Sequence, residues 1–252
     1  MQTQLYDRIG TGYGRFRRPD PRIAARIHHA LGAARTVVNV GAGAGSYEPD
    51  GGVVAVEPSA TMVAQRPAGA APSVRASALA LPFRAQSFDA ALAVLTLHHW
   101  PDWRAGVAEM ARVARERVVI LTFDADAESF WLVRDYFPAI RELDRRWMPP
   151  VVEVADALGG GDIVPVPVPW DCIDGFLGAY WRRPQAYLDA DVRGAISAFG
   201  LIDGVEYGIA RLRRDLEDGS WARRNAEMEG REELDIGYRL VVAVCRPAGQ
   251  GG

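Results

Sequence analysis

The segment TVVNVGAGAGSYE, residues 36–48, decides the fold. A short run of β-branched residues leads directly into a turn with glycine at positions 41, 43 and 45. Glycine lets the backbone turn tightly and approach a bound small molecule closely. The spacing differs from the Gly-x-Gly-x-x-Gly of dinucleotide-binding turns, because Ser46 stands where the last glycine would be. A turn of this kind also occurs as an ordinary loop, so the surrounding sequence has to separate the two interpretations.

The rest of the first half alternates short apolar runs with segments of helical periodicity. Residues 22–31 and 104–116 carry apolar side chains at helical spacing, and each predicts an amphipathic helix. Strands buried on both faces, as in a parallel sheet, are predicted for TVVNV (36–40), GVVAVEP (52–58), FDAALAVLTL (88–97) and RVVILTF (117–123). This alternation predicts a parallel α/β sheet, to which YRLVVAVCR (238–246) adds a late strand.

The composition is that of a globular protein and excludes several classes of function. The chain has 252 residues and a net charge of −3, from 29 basic and 32 acidic residues, so no global positive field attracts nucleic acid. Cys172 and Cys245 show no metal-type spacing, and no metal site is expected. The N-terminal residues lack an apolar leader core, and no apolar run approaches the roughly 18 residues of a membrane span. We therefore expect a soluble, cytoplasmic protein without nucleic-acid or membrane partners.

An acidic residue, Glu57, ends the second predicted strand. In nucleotide-binding α/β folds, a carboxylate at this position accepts hydrogen bonds from the ribose hydroxyls. Alternatively, Glu57 is a solvated loop residue, although the apolar strand before it directs its end into the ligand crevice. The acid and the glycine-rich turn together indicate a ligand with a ribose more strongly than either does alone.

A third segment, SALALPFRAQSFDAALAVLTLHHW (77–100), contains the pattern LPF…SFD…HHW. With this pattern, residues 36–123 resemble the class I S-adenosylmethionine-dependent methyltransferases that act on small molecules. The resemblance implies a Rossmann-like α/β fold with a seven-stranded, mostly parallel sheet, a reversed C-terminal strand and a helical cap insertion. It implies S-adenosyl-L-methionine as the cofactor and S-adenosyl-L-homocysteine as its product. The acceptor would be an O, N or C atom of a small molecule of secondary metabolism.

On this interpretation the chain divides into four segments. Residues 1–35 form an N-terminal lid and the first helix, and residues 36–123 form the cofactor-binding core. Residues 124–200 form the substrate cap, and residues 201–252 form the C-terminal part of the sheet. Glycines 159–161 and the alternating VPVPVP (164–169) break any long helix, so the cap is predicted to contain an extended connection outside the sheet.

The resemblance assigns cofactor contacts to the ends of the predicted strands. The glycine-rich turn holds the methionine part, Glu57 holds the ribose, and the segment at Ser77 borders the adenine. Asn39 and Ser77 stand where aspartate is common in the family, so each offers a neutral acceptor instead of a charged one. The full set of predicted cofactor residues is Tyr13, Arg18, Asn39, Gly41, Ala42, Gly43, Glu57, Pro58, Ser77, Ala78, Leu95 and Thr96.

Catalysis on an alcohol or phenol would also need a general base, for which His99 and Asp124 are the candidates. Alternation along a strand predicts that at most one of His98 and His99 faces the substrate, and the position in the family favours His99. An amine or an activated carbon would need no base.

Two other regions have both a functional and a structural interpretation. The N-terminal segment YDRIGTGYGRFRRPDP resembles a lid in which an arginine pairs with the cofactor carboxylate, or it is a solvated basic face. Aromatic residues of the cap suit an apolar acceptor pocket, or they form the core of the cap; they are Trp131, Tyr136, Phe137, Trp147, Trp170, Tyr180 and Trp181.

Three other functions remain open at this level. The same crevice suits a nicotinamide oxidoreductase, which the missing last glycine disfavours. A methyltransferase fold also occurs in a protein that catalyses a cyclisation or only binds the cofactor. A macromolecular methyltransferase would act on RNA or protein, and the net charge disfavours RNA. The expected partner is a small-molecule acceptor, and a homodimer of the chain is left open.

Overall fold

The computed structural model describes residues 16–127 and 130–245. A seven-stranded sheet has the order β3-β2-β1-β4-β5-β9-β6. Its strands are β1 (Val37–Val40), β2 (Val53–Val56), β3 (Ser73–Val74), β4 (Phe88–Val94), β5 (Ala114–Phe123), β6 (Asp162–Pro165) and β9 (Tyr238–Val244). Strands β1 to β5 are parallel, and β9 is antiparallel to both of its neighbours. A separate ribbon pairs β7 (Val168–Pro169) with β8 (Glu233–Leu234).

Helices cover both faces of the sheet. They are α1 (Pro21–Leu31), α2 (Ala60–Ala64), α3 (Trp103–Val113), α4 (Pro138–Trp147), α5 (Val151–Ala157), α6 (Ala190–Gly194), α7 (Val205–Glu217) and α8 (Ser220–Arg224). Successive residues of a strand point to opposite faces. In β5, Val119 packs in the core below α1, whereas Val118 packs in the core below α3. This two-sided burial explains the continuous apolar runs and confirms the Rossmann-like fold with its reversed C-terminal strand.

The motif residue Asp89, at the start of β4, stabilises the sheet through its side chain. Its carboxylate accepts hydrogen bonds from the backbone N–H groups of Arg35 and Thr36, both at 2.9 Å, and it pairs with Arg115 at 2.6 Å. The hydrogen bond from Arg115 and those from Thr36 hold the pKa of Asp89 far below its usual range. The aspartate of SFD therefore has a structural role, because it joins the beginning of β1 to the beginning of β4.

The motif LPF also serves the scaffold. The N–H of Leu81 donates to Glu109 at 2.8 Å, and Arg112 donates to the carbonyl oxygens of Leu81 and Phe83 at 3.1 and 2.8 Å. Glu109 and Arg112 both belong to α3. The segment that carries the family pattern is thus bound to the helix that follows it in sequence.

The predicted cap boundaries differ from the structure in two places. Residues 162–165, assigned to the cap, form edge strand β6, which pairs with Arg239–Val242 of β9. Proline is tolerated there because an edge strand does not need every N–H for the sheet. Helix α7, assigned to the C-terminal part of the sheet, packs in the cap instead, with Leu212 in the same core as Phe137 and Tyr187.

No helix among the described ranges combines the length and the apolar character that crossing a bilayer requires.

Candidate functional site

A cavity of about 320 Å³ lies at the carboxyl ends of β1, β2 and β4. Parallel α/β sheets bind their ligands at this edge. Nine of the predicted site residues line the cavity, namely Asn39, Gly41, Ala42, Gly43, Glu57, Pro58, Leu95, Thr96 and His99. They come from three separate parts of the sequence, and only the sheet order brings them together.

The first glycine of the turn, Gly41, has to be a glycine for two reasons. Its φ of 71° lies in the left-handed region that side chains disfavour. A Cβ at this position would lie 2.2 Å from Oγ1 of Thr96, at the end of β4. The N–H of Gly41 also donates to the carbonyl of Val56 at 2.8 Å. The turn is therefore held between β2 and β4, with no space for a side chain.

Glu57 is buried and oriented by the backbone. Its two carboxylate oxygens accept hydrogen bonds from the N–H groups of Gly43 and Ser59, each at 2.9 Å. Only 7% of the residue is exposed. A carboxylate oxygen accepts more than one hydrogen bond, so both oxygens retain capacity toward the cavity. This arrangement suits a pair of neighbouring hydroxyl groups, as on a ribose.

Asn39 belongs to a buried polar network below the glycine-rich turn. Its Nδ2 donates to Glu48 at 3.1 Å, and Glu48 forms an ion pair with Arg66 at 2.7 Å. The side chains of Arg66 and Glu48 are 5% and 9% exposed. An aspartate at position 39 would place a second carboxylate beside Glu48, so this network explains why asparagine stands there.

The other end of the Asn39 amide is an unused acceptor. Its Oδ1 is buried and accepts no hydrogen bond from the residues that the structure describes. A buried acceptor without a donor costs about 1–3 kcal/mol, so the position favours a ligand that brings an N–H or O–H group. The ammonium of S-adenosylmethionine is such a group, and the cavity fits the cofactor in this respect.

His98 and His99 both line the cavity, contrary to the prediction that only one would. Strand β4 ends at Val94 and does not extend to Leu97. Leu95 then takes a left-handed φ of 49°, and residues Leu97–His99 form a 3-10 turn, in which strand alternation does not apply. The two rings lie 3.8 Å apart between centroids. Burial lowers the pKa of His99 to about 4 and that of His98 well below its usual value, so both rings are neutral at pH 7.

Four predicted residues that the structure describes lie outside this cavity, namely Arg18, Ser77, Ala78 and Asp124. Ser77 is exposed and its hydroxyl accepts from the N–H of Leu79 at 3.2 Å, while Ala78 packs in the core. The backbone N–H of Asp124 donates to the Gly237 carbonyl at 2.8 Å, and its side chain is not part of the lining. Asp124 therefore lies outside the cavity lining, and its role as a base stays a prediction.

The predicted N-terminal lid is placed only in part. Tyr13 lies outside the described residues. Arg18 is exposed and away from the cavity, whereas its neighbour Arg17 lines it. Arg17 donates from Nε to Asp174 at 2.6 Å, and the hydroxyl of Tyr47 donates to the other oxygen of Asp174 at 2.7 Å. The arginine at the cavity is thus Arg17, because a buried carboxylate of the cap holds it there.

The far side of the cavity is built by the cap and β9. It is lined by Phe123, Asp144, Met148, Phe176, Leu177, Ile196 and Tyr238. The seven aromatic residues predicted for the pocket are absent from the lining. Trp131 and Trp181 are fully buried in the core of the cap, which supports the structural interpretation for them.

Asp144 is a site residue that the sequence reasoning missed. It lies in the polar segment RELDRR of α4, and this pattern predicts a solvent-exposed aspartate. In the structure its side chain lines the apolar side of the cavity, and burial raises its pKa to about 7. Groups of three or more potential metal ligands do not occur within the described ranges.

Comparisons with known proteins agree with this geometry. The family model of a methyltransferase domain matches residues 38–122. The chain is 34% identical to a putative methyltransferase from an antibiotic biosynthesis pathway of Anabaena variabilis, with a TM-score of 0.83 over 90% of this chain and 98% of that one. A search of curated proteins found no match.

Two more distant structures share the fold alone. YcgJ from Bacillus subtilis is 18% identical, with a TM-score of 0.50 over 88% of this chain and 100% of that one. The [4+2]-cyclase SpnF is 15% identical, with a TM-score of 0.51 over 90% of this chain and 82% of that one. With its strand order, its site and its Anabaena relative, the chain belongs to the class I S-adenosylmethionine-dependent methyltransferases.

Proposed function

We propose that the protein transfers a methyl group from S-adenosyl-L-methionine to a small molecule and releases S-adenosyl-L-homocysteine. The observation that carries this proposal is that one cavity is lined both by the carboxylate of Glu57 and by Asn39, whose Oδ1 has no donor among the described residues. These two groups suit the ribose and the ammonium of the cofactor. The apolar far side of the same cavity offers space for an acceptor.

The bound cofactor supplies a methyl group already activated on a sulfonium, so the protein's tasks are alignment and exclusion of water. Glu57 fixes the position of the ribose, because two backbone N–H groups hold its carboxylate. Asn39 accepts from the ammonium, and Glu48 holds the amide in the orientation that allows it. His98 and His99 are neutral at pH 7 and do not repel a cation in the cavity.

A small acceptor is more consistent with the chain than a macromolecule. The net charge of −3 provides no general attraction for RNA. The Anabaena relative is described as belonging to an antibiotic biosynthesis pathway, which supports a role in secondary metabolism. The nicotinamide alternative has no support from the family to which the chain belongs.

Calorimetric titration with S-adenosylmethionine and S-adenosylhomocysteine tests the cofactor assignment. We expect Glu57→Gln to weaken both affinities at least tenfold, about 1.4 kcal/mol, because the amide donates where the ribose hydroxyls also donate. Glu116→Gln is the matched control, since Glu116 is exposed on β5, and it should leave both affinities within about twofold. Binding of a nicotinamide dinucleotide in place of S-adenosylmethionine would contradict the proposal.

Methyl transfer itself needs a separate experiment. The protein is incubated with S-adenosylmethionine carrying a deuterated methyl group and with a small-molecule extract, and the products are analysed by mass spectrometry. We expect a labelled product whose formation is lost with Glu57→Gln and retained with Glu116→Gln. Stoichiometric cofactor binding with no labelled product in any of the tested extracts would contradict methyl transfer. It would favour the alternative that the protein binds the cofactor and does not methylate.

A further inference from the structure

Among the described residues, one carboxylate lies with the apolar groups on the far side of the cavity, that of Asp144. No hydrogen bond or ion pair to this carboxylate occurs among the described residues, whereas its helix neighbour Arg145 pairs with Asp126 at 2.9 Å and Glu142 at 3.8 Å. Asp144 is half-buried, and even partial burial of a carboxylate without a partner is unfavourable, because the charged form loses part of its hydration. A ligand that brings a positive charge or a strong donor removes this penalty.

The other charged or titratable groups of the cavity do not supply that charge. They are Arg17, Tyr47, Glu57, His98, His99 and Tyr238. Arg17 faces the cavity from the N-terminal segment and is paired with Asp174. The two histidines, from the turn after β4, are neutral at pH 7. The phenols of Tyr47 and Tyr238 have pKa values raised by burial, so they stay protonated.

Aromatic rings surround the same space. Tyr238 packs edge-on against Phe123 and Phe176, with ring centroids 5.2 and 4.8 Å apart. All three residues line the cavity with Asp144. Aromatic rings attract cations through their negative faces, and the effect is strongest where water is excluded. A carboxylate beside such rings is a common way of recognising an alkylammonium group.

Resting on the proposed methyl transfer, we propose that the acceptor is an apolar amine whose ammonium group is bound by Asp144. An acceptor of this class pairs with the half-buried carboxylate and places its apolar frame against Phe176, Ile196 and Met148. An acceptor with a carboxylate or phosphate next to the reacting atom would instead meet the charge of Asp144, and the site disfavours it.

Asp144 also provides a place for the proton if the bound nitrogen is the methylated atom. One proton moves from the ammonium to the carboxylate, which leaves a neutral amine with a free electron pair and a neutral carboxylic acid. Burial raises the pKa of Asp144 to about 7, closer to that of an amine than an exposed aspartate would be. The neutral histidines are weaker bases, because the pKa of His99 is lowered to about 4.

Three probes with the same ring and different head groups test the inference. The affinities of 2-phenylethylamine, 2-phenylethanol and 3-phenylpropionate are measured by calorimetry at pH 8, on protein saturated with S-adenosylhomocysteine. We expect the amine to bind at least tenfold more tightly than the alcohol, and the carboxylate to bind most weakly. Asp144→Asn should remove the tenfold preference and leave the affinity of the alcohol within about twofold. Glu142→Gln makes the same change of charge on the exposed side of α4 and should preserve the order of affinities.

The outcomes separate this inference from the proposed function. Failure of the wild-type protein to bind S-adenosylhomocysteine would remove the proposed function itself. Normal S-adenosylhomocysteine binding with equal affinity for amine and alcohol, with tighter binding of the carboxylate, or with no probe bound would overturn only the amine inference. An amine preference that survives in Asp144→Asn would overturn it as well, since another group would then recognise the cation.

Discussion

Asp144 makes the stability of the protein depend on pH in a direction opposite to that of most aspartates. Its pKa is raised from 3.8 to about 7, so the folded protein holds a proton that the unfolded chain releases. Stability from this group is therefore present below about pH 4 and declines as the pH rises toward 7. The charged form of this carboxyl group therefore opposes folding at neutral pH.

We expect Asp144→Asn to raise the melting temperature at pH 8, because the amide carries no charge to desolvate. The increase should shrink as the pH is lowered to 5, where the wild-type carboxyl is protonated. Scanning calorimetry of both proteins across this range measures the difference. A melting temperature for the variant that is lower than wild type at pH 8, or a difference independent of pH, would mean that the pKa of the Asp144 carboxyl is not raised in the folded protein.

A second residue-scale prediction concerns Gly41, where steric space and backbone strain act together. Gly41→Ala would place a Cβ 2.2 Å from Oγ1 of Thr96, in addition to adopting a φ of 71°. Gly51→Ala is the matched control, since Gly51 has a φ of 77° and no atom within 4 Å of its added Cβ. We expect Gly51→Ala to show only the strain of about 1–2 kcal/mol. Gly41→Ala should be clearly less stable than the control and bind S-adenosylhomocysteine at least tenfold more weakly, as measured by denaturant unfolding and calorimetry; equal losses would mean that the contact with Thr96 relaxes freely.

The residues in and around the cavity differ in how well the sequence alone predicts their positions. Gly41 and Glu57 follow strands that the sequence marks clearly, so their place at the sheet edge follows from chain order alone. Arg66 and Asp144 reach the cavity region from polar segments after tertiary packing, and no local pattern separates them from solvent-exposed charges. Arg17 and Arg18 are adjacent arginines, and only the position of Asp174, far along the chain, decides which one faces the cavity.

At the scale of elements, the glycine-rich turn and α2 are joined by a buried ion pair. Arg66, just after α2, reaches Glu48 with its NH2 group at 2.7 Å and donates to the Ala71 carbonyl at 3.1 Å. Glu48 in turn orients Asn39 at 3.1 Å. The pair thus connects the position of the second strand-helix unit to Asn39, whose Oδ1 we propose accepts from the cofactor ammonium.

Removal of one partner should be far more harmful here than on the surface. We expect Glu48→Gln to lower stability by about 3–5 kcal/mol, because it leaves the Arg66 guanidinium buried without its counter-charge. Glu153→Gln is the control, since the Glu153–Arg104 pair is 49% and 61% exposed and should contribute about 0–1 kcal/mol. Urea unfolding of the two variants measures both losses. Comparable losses would show that the Glu48–Arg66 pair is not protected from water.

The sequence misplaced the end of β4 and missed the edge strand β6, because at both places the residue types do not reflect the backbone conformation. The apolar run of residues 88–97 continues to Leu97, but β4 ends at Val94 because Leu95 turns the backbone toward the cavity. Edge strand β6 ends in Pro165 and its four residues are all exposed, a pattern that the sequence alone marks as a break. The central strands were predictable because burial on both faces leaves only apolar residues there.

At the scale of the whole molecule, a buried carboxylate of the cap joins three distant parts of the chain. Asp174 accepts from Arg17 of the N-terminal segment at 2.6 Å and from Tyr47 of the glycine-rich turn at 2.7 Å. The backbone reinforces the connection, because the N–H of Gly175 donates to the carbonyl of Phe16 at 2.7 Å. Asp174 is only 1% exposed. The cap, the N-terminal segment and the turn therefore hold one another in place around the cavity.

The last prediction follows from this connection. We expect Asp174→Asn to loosen residues 16–20 and 171–176 together, because the amide is a weaker acceptor for the guanidinium and donates where Tyr47 also donates. Hydrogen exchange measured by mass spectrometry should rise in both segments, while the central strands β1 and β4 stay protected, and the affinity for S-adenosylhomocysteine should fall severalfold. Asp171→Asn is the matched control, since Asp171 pairs with Arg22 at 2.6 Å with about half of its side chain, 47%, exposed. Faster exchange in only one segment, or equal changes in the two variants, would show that Asp174 does not couple the cap to the N-terminal segment.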